Sequence, residues 1–378
     1  CRPSRTRTPV QAADVMAISM MMLGCIVGVF AIDRTLSCLP SPSRSESSST
    51  DSTPKPTPHR QVGLDDSFNL DGGNGILSEL SGEQLARVRN SDQSAVKSDL
   101  YLRCGFFTAP SMDRWRIGSL NLGPQSSQNG HVLRTPSANF DIHQFEIERF
   151  GGASKFVFLP PDSLRLTGLS QLTVDHRREW IRPKRPSHDS YLVTCQDLPA
   201  PNRFDKLSRL DVRLGLTNLP EGIDTGRFEQ LLDEWQVPRS PMSAMAAIAE
   251  GLARHCRYAR SEPTGPYAHR IENFLFAEAD RRGYCMHFAS AAALLLRMRG
   301  IPCRIGVGLY GGNADTEIPG ARMFGSQHAH AWVEILYQNR LFIFDPTPPE
   351  SRGRAIAATS DNGTNPDAGV ENSGDLIS

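Results

Sequence analysis

The chain has 378 residues, with 41 Lys and Arg balancing 41 Asp and Glu, and 39% hydrophobic residues. Zero net charge removes the basic excess that nucleic-acid binding exploits, so no nucleic-acid partner is expected, and the length allows one or two domains. Eight cysteines, at 1, 25, 38, 104, 195, 256, 285 and 303, are too scattered for a disulfide scaffold. No CxxC pair marks a zinc ribbon, and the only pairing that suggests itself joins Cys104 to Cys195.

The chain opens on Cys1 rather than Met, as a fragment or processed product would. Residues 1–14 carry Arg2, Arg5 and Arg7 and precede the uncharged run "VMAISMMMLGCIVGVFAI" at 15–32, which is just long enough to cross a bilayer. The positive-inside rule then gives a cytoplasmic segment 1–14, a transmembrane helix 15–34 and an extracytoplasmic remainder. A cleaved signal peptide is the rival reading. A lipoprotein through Cys38 fits less well, because Asp33 and Arg34 separate it from the apolar run.

Pro, Ser and Thr dominate residues 40–60, so 35–75 reads as a flexible linker. Over 76–200 the runs "SDLYLRCGFF", "FDIHQFEIERF", "KFVFLP", "LTVD" and "SYLVTC" are aromatic or β-branched and separated by Gly, Pro and Asp, which predicts a β-rich domain. Apolar spacing then changes to three and four residues in "RFEQLLDEWQV" and "SPMSAMAAIAEGLARHC", with Ser240 as N-cap and Pro241 at the first helical position. The segment 201–350 is therefore a mixed α+β core, and 351–378 has the composition of a disordered tail.

Within that core, "RRGYCMHFASAAALLLRMRGIP" predicts a buried helix that starts near Cys285 and ends at Gly300. Unsatisfied N–H groups and the positive macrodipole end at a helix start favour a thiolate, and Gly283 lets the backbone bend closely before it. An inert buried thiol is the bland alternative. The stretch "QHAHAWVEILYQNRLFIFDPTPP" alternates on both sides of "YQNR" and predicts a β-hairpin, with His330, Trp332 and Glu334 on one face. A turn centred near Tyr337 and Gln338 sets His330 directly opposite Asp345, whereas one centred a residue later makes them diagonal neighbours; an imidazole–carboxylate bond is within reach in both cases. A Cys at a helix start, a His on a strand and an Asp at the end of the next are the parts of a Cys-His-Asp triad.

The series "GYC", "GIPCR", "HAW" and "DPT", in that order, resembles the transglutaminase-like superfamily, in particular its membrane-anchored bacterial members. The resemblance is strong over about 225–350 and looser over "LYLRCGFF" and "FVFLPPDSLRLTG". It implies a papain-like fold with the Cys helix packed on an antiparallel sheet, Cys285 as nucleophile, His330 as general base and acid, and Asp345 as the group that orients it. It also implies acyl transfer or hydrolysis on protein or peptide amides through a thioester, with neither cofactor nor metal; a silent scaffolding module at the membrane surface is the alternative. Two positions depart from the family pattern: Met286 stands where an acidic residue is usual, and His328 where Asp is usual, so His328 is a second imidazole that could titrate beside His330. His287 is expected to face away from the site and Trp332 to pack against the helix. A metal site from His328, His330, Cys285 and Asp345, and an oxyanion-hole role for Tyr258, are the other options.

Overall fold

The computed structural model describes residues 67–69, 83–118, 122–136, 141–175, 180–197, 215–259, 263–337 and 340–352. The expected transmembrane helix at 15–34, the segment 1–14 and the tail beyond 352 lie outside the described residues. Among the described residues, no helix is long and apolar enough to cross a membrane. Ser67–Asn69, inside the stretch expected as linker, instead forms a strand on Arg114–Arg116.

Nine strands and four helices position the site. The strands are β1 (Gln84–Asn90), β2 (Tyr101–Phe107), β3 (Ile142–Arg149), β4 (Ser163–Thr167), β5 (Tyr191–Gln196), β6 (Cys303–Tyr310), β7 (Arg322–Gly325), β8 (Ala329–Tyr337) and β9 (Arg340–Phe344). The helices are α1 (Thr225–Glu234), α2 (Pro241–His255), α3 (Arg270–Phe276) and α4 (Cys285–Met298). A four-stranded antiparallel sheet has the order β9-β8-β6-β2, and a seven-stranded sheet contains β7-β1-β3-β5-β4. Strand pairing thus crosses the compositional change near residue 200. β2, from the β-rich half, edges the sheet of the second half, and β7, from the second half, pairs with β1.

"KFVFLP" is not a strand. Gly151–Lys155 is a 3₁₀ turn, and the buried Phe156, Val157, Phe158 and Leu159 run on without a ladder, except that Leu159 and Arg103 exchange backbone bonds of 2.8 and 2.9 Å. The Tyr191 hydroxyl serves the Phe158 N–H and C=O at 2.8 and 2.9 Å, a side chain standing in for a neighbouring strand. An apolar run this short satisfies a strand or a buried loop equally well. α2 begins at Pro241 as expected, but the Ser240 side chain makes no cap bond; Asp224 does cap α1, accepting from the Arg227 N–H at 3.2 Å.

α4 is buried from Cys285 through Arg297, which explains why its sequence is apolar on every face. Beneath it lie Ala331, Val333 and Ile335, one face of β8. The helix ends on Gly300, whose φ of 77° is left-handed. Gly300 N–H bonds Arg297 C=O and Ile301 N–H bonds Leu296 C=O, both at 2.9 Å, a Schellman stop. Arg297 is buried, and its guanidinium is satisfied by the carbonyls of Asn218, Thr108 and Cys303 at 2.6 to 3.2 Å, so a single cation ties α4 to both halves of the chain.

Gly308 on β6 stands opposite His330, and a β-carbon there would overlap the Leu102 carbonyl of β2. Gly308→Ala should therefore spread β2 from β6. Overpacking costs of about 1–3 kcal/mol, at roughly 2–4 °C each for a unit of this order, predict a melting temperature lower by roughly 2 to 12 °C. A thermal melt followed by circular dichroism measures it.

Candidate active site

Cys285 is the first residue of α4, after the extended Tyr284 cap, and is 1% exposed. Gly283 is required by space, not by a left-handed turn: a β-carbon there would lie 2.9 Å from both the Cβ of His287 and the ring of Phe274. The Tyr284 carbonyl accepts from the N–H groups of His287 and Phe288 at 2.9 and 3.2 Å, while the Tyr284 N–H points back to His287 Nδ1 at 3.4 Å. His287 therefore braces the helix start that carries the thiol.

The β8–β9 register pairs Val333 with Phe344 and Tyr337 with Arg340, which is the later of the two expected registers and sets Asp345 opposite Trp332. His330 and Asp345 are diagonal neighbours, and His330 Nε2 meets Asp345 Oδ2 at 2.7 Å. This leaves Nδ1 free of the carboxylate, and Cys285 is near enough to raise the proton affinity of the imidazole. The three expected residues are thus brought together around the imidazole.

Asp345 is held by more than His330. The Tyr101 hydroxyl donates to Oδ2 at 2.9 Å, the Thr347 N–H donates to Oδ1 at 3.0 Å, and Arg352 Nε lies 3.3 Å from Oδ2. A second Arg352 nitrogen bonds the Asp345 carbonyl at 2.6 Å. Sequence reasoning missed Tyr101 and Arg352. Thr347 belongs to the "DPT" stretch, but nothing local to Tyr101 or Arg352 marks either as a partner of Asp345. On the Asp345 side, a cavity of about 500 Å³ is lined in part by Tyr101, Asp345 and Arg352.

Burial disfavours charge on His330, but the Asp345 charge and hydrogen bond, with a smaller contribution from Cys285, outweigh it and push the imidazole up to about 10. Burial likewise favours protonated Asp345, yet His330, Arg352 and the Thr347 N–H hold its carboxyl below the usual range. The pair is ionised at neutral pH.

His328 behaves differently. Burial lowers its proton affinity, and its Nδ1 accepts the Gly325 N–H at 2.9 Å, so it is neutral where His330 is charged and the two do not titrate together. Trp332 lies away from α4, edge-on to Tyr101 with ring centroids 5.0 Å apart, because the residues of β8 that meet the helix are Ala331, Val333 and Ile335. Glu334, on the His330 face, is buried against Arg304 and Arg103 at 2.7 and 3.2 Å. Tyr258 packs near Phe288, with centroids 6.2 Å apart. Among the described residues, Cys104, Cys195, Cys256, Cys285 and Cys303 are all free, so the Cys104–Cys195 pairing is not made; Cys104 Sγ lies 3.4 Å from the Val307 carbonyl instead. No described cluster of three or more His, Cys, Asp or Glu is placed to hold a metal ion.

The sign of the charge effects sets a pH dependence of stability. Because His330 is raised from an ordinary value near 6.5, its contribution is full below that pH and is lost as pH rises towards about 10. Because Asp345 is lowered, its contribution is present above the ordinary carboxylate value and is lost in acid. Melting temperature should fall between pH 6.5 and 10 more steeply in the wild type than in His330→Gln. Parallel curves for the two proteins would show that the imidazolium does not stabilise the fold.

Residues 230–346 match the transglutaminase-like superfamily. A protein-glutamine gamma-glutamyltransferase of Pseudomonas aeruginosa is 34% identical over 124 residues; the match takes in 32% of this chain, which spans only 18% of that relative's length. The crystal structure of the periplasmic domain of TgpA from Pseudomonas aeruginosa bound to ethylmercury superposes with a TM-score of 0.55 at 21% identity, covering 75% of this chain and 96% of that one. The structure of the same domain described without ethylmercury gives 0.55 at 20% identity, with 75% and 94% covered. Residues 230–346 thus form a transglutaminase-like segment by sequence, and three quarters of the chain resembles the TgpA periplasmic domain in fold.

Proposed function

We propose that the chain is a cysteine enzyme that transfers or hydrolyses the acyl group of protein or peptide amides, with Cys285, His330 and Asp345 as its triad. The observation that carries this reading is the buried, ionised His330–Asp345 pair, bonded at 2.7 Å, with the Cys285 thiol beside the imidazole at the start of a buried helix. Cys285 sulfur, as thiolate, attacks the amide carbonyl carbon; the C–N bond breaks, and the departing amine or ammonia takes the proton of the His330 imidazolium. The thioester is then attacked by water or by a primary amine, whose proton returns to His330 as the thiolate leaves. Asp345 keeps the imidazole turned with Nδ1 towards sulfur and stabilises its charged form.

The name of the Pseudomonas aeruginosa relative supports glutamine side chains as acyl donors and primary amines as acceptors. The periplasmic origin of the similar solved domain supports an extracytoplasmic site, with the apolar run at 15–32 as its anchor.

Incubation with casein and a fluorescent primary amine, with ammonia release followed in parallel, tests the reaction. Cys285→Ala and His330→Ala should abolish both signals, and Asp345→Asn should lower them roughly 10²- to 10⁴-fold. Cys303→Ala should stay within a few fold of wild type, because its buried Sγ bonds the Ala293 carbonyl at 3.4 Å, within the helix packing. Activity that survives Cys285→Ala but is lost with Cys303→Ala would sink the assignment.

A further inference from the structure

We infer that Tyr101 is a positioning residue of the triad: its hydroxyl holds the Asp345 carboxylate ionised and aimed at His330, so the strand that completes the site comes from ahead of the matched segment 230–346. The inference rests on the acyl-transfer reading above.

Asp345 Oδ2 takes two short bonds, 2.7 Å from His330 Nε2 and 2.9 Å from the Tyr101 hydroxyl. The third neighbour, Arg352 Nε, is longer at 3.3 Å and is shared with the Thr347 carbonyl at 2.7 Å. After the imidazole itself, Tyr101 is thus the nearest donor to the oxygen that His330 meets. Its ring cannot swing elsewhere: it lies 4.5 Å from Tyr310 and 5.0 Å from Trp332 between centroids, and its backbone pairs with Tyr310 across β2 and β6. Burial, and then the Asp345 charge, raise the proton affinity of the phenol far above the ordinary tyrosine value, so it remains a donor at every working pH.

A ring alone would serve packing equally well, and Tyr101→Phe keeps the ring while removing the hydroxyl. A donor on a carboxylate has two effects. It stabilises the anion, and it shares charge that would otherwise act on the imidazolium. Without the hydroxyl, Asp345 takes up a proton at higher pH, and His330 also keeps its proton to higher pH. Both limbs of the pH–rate profile should therefore move upward, by about half a unit to one unit.

The experiment compares Tyr101→Phe with wild type in amine incorporation and in the rate of Cys285 alkylation by iodoacetamide across pH. We expect kcat roughly 5- to 50-fold lower with KM within twofold, an upward-shifted profile and a melting temperature within a few degrees. Because Tyr101 acts through Asp345, adding Tyr101→Phe to Asp345→Asn should change the remaining alkylation rate less than twofold. A purely structural tyrosine would give the same loss in both backgrounds and leave the profile in place, and either result overturns the inference. Wild-type turnover with an indistinguishable Tyr101→Phe also overturns it while sparing the functional reading. A wild-type chain that shows no turnover and alkylates Cys285 no faster than Cys303 fails the functional reading itself.

Discussion

The site depends on keeping an imidazolium and a carboxylate ionised while both are almost wholly buried. Removing two such ions from water costs several kcal/mol each, and their mutual attraction offsets this only when further donors complete the carboxylate. His330 and Asp345 are 4% and 8% exposed, and the completing donors come from three separate places: Tyr101 on β2, the Thr347 N–H just after β9, and Arg352 beyond it. The hairpin presents the pair, and Arg352 and the Thr347 N–H add to the attraction that holds Asp345 charged. The same constraint accounts for the second ionic cluster on that face of β8, where Glu334 is matched by Arg304 and Arg103.

The opposite face of β8 answers to packing alone. Ala331, Val333 and Ile335 are flat enough to seat α4, whose buried length sets where its first residue falls. The helix is pinned at both ends: Gly283 and His287 bring the chain tightly against its start, and Gly300 with Arg297 closes its finish. The thiol is therefore placed by a rigid element rather than by a loop, which a near-attack geometry requires.

Local signals made much of this legible in the amino-acid sequence. The apolar run between Gly283 and Gly300 marks α4, and two-residue alternation marks β8 and β9, with Asp345 at the end of the second. The hairpin register stayed open, because shifting the turn by one residue satisfies the same alternation. Alternation says which residues share a face but not what each face meets, so the expected packing of Trp332 on the helix fails: the space beside Gly306 receives the indole. "KFVFLP" has a strand's composition and a loop's backbone, since Tyr191 supplies the bonds a neighbouring strand would. Tyr101 was invisible because its partner is 244 positions away and no periodicity links them.

The exchange of strands between the two halves also bears on how the chain acquires its structure. β2 is made early in synthesis, yet its neighbour β6 follows about 200 positions later, with Leu102 resting against Leu309. Closing a loop of that length precedes any reward from the pairing, and a high average separation between contacting residues slows folding. Until β6 emerges, β2 is an open edge able to capture a wrong strand. His330 and Asp345 lie on β8 and just after β9, which follow β6, so a nascent chain that ends before them holds the thiol without its proposed base.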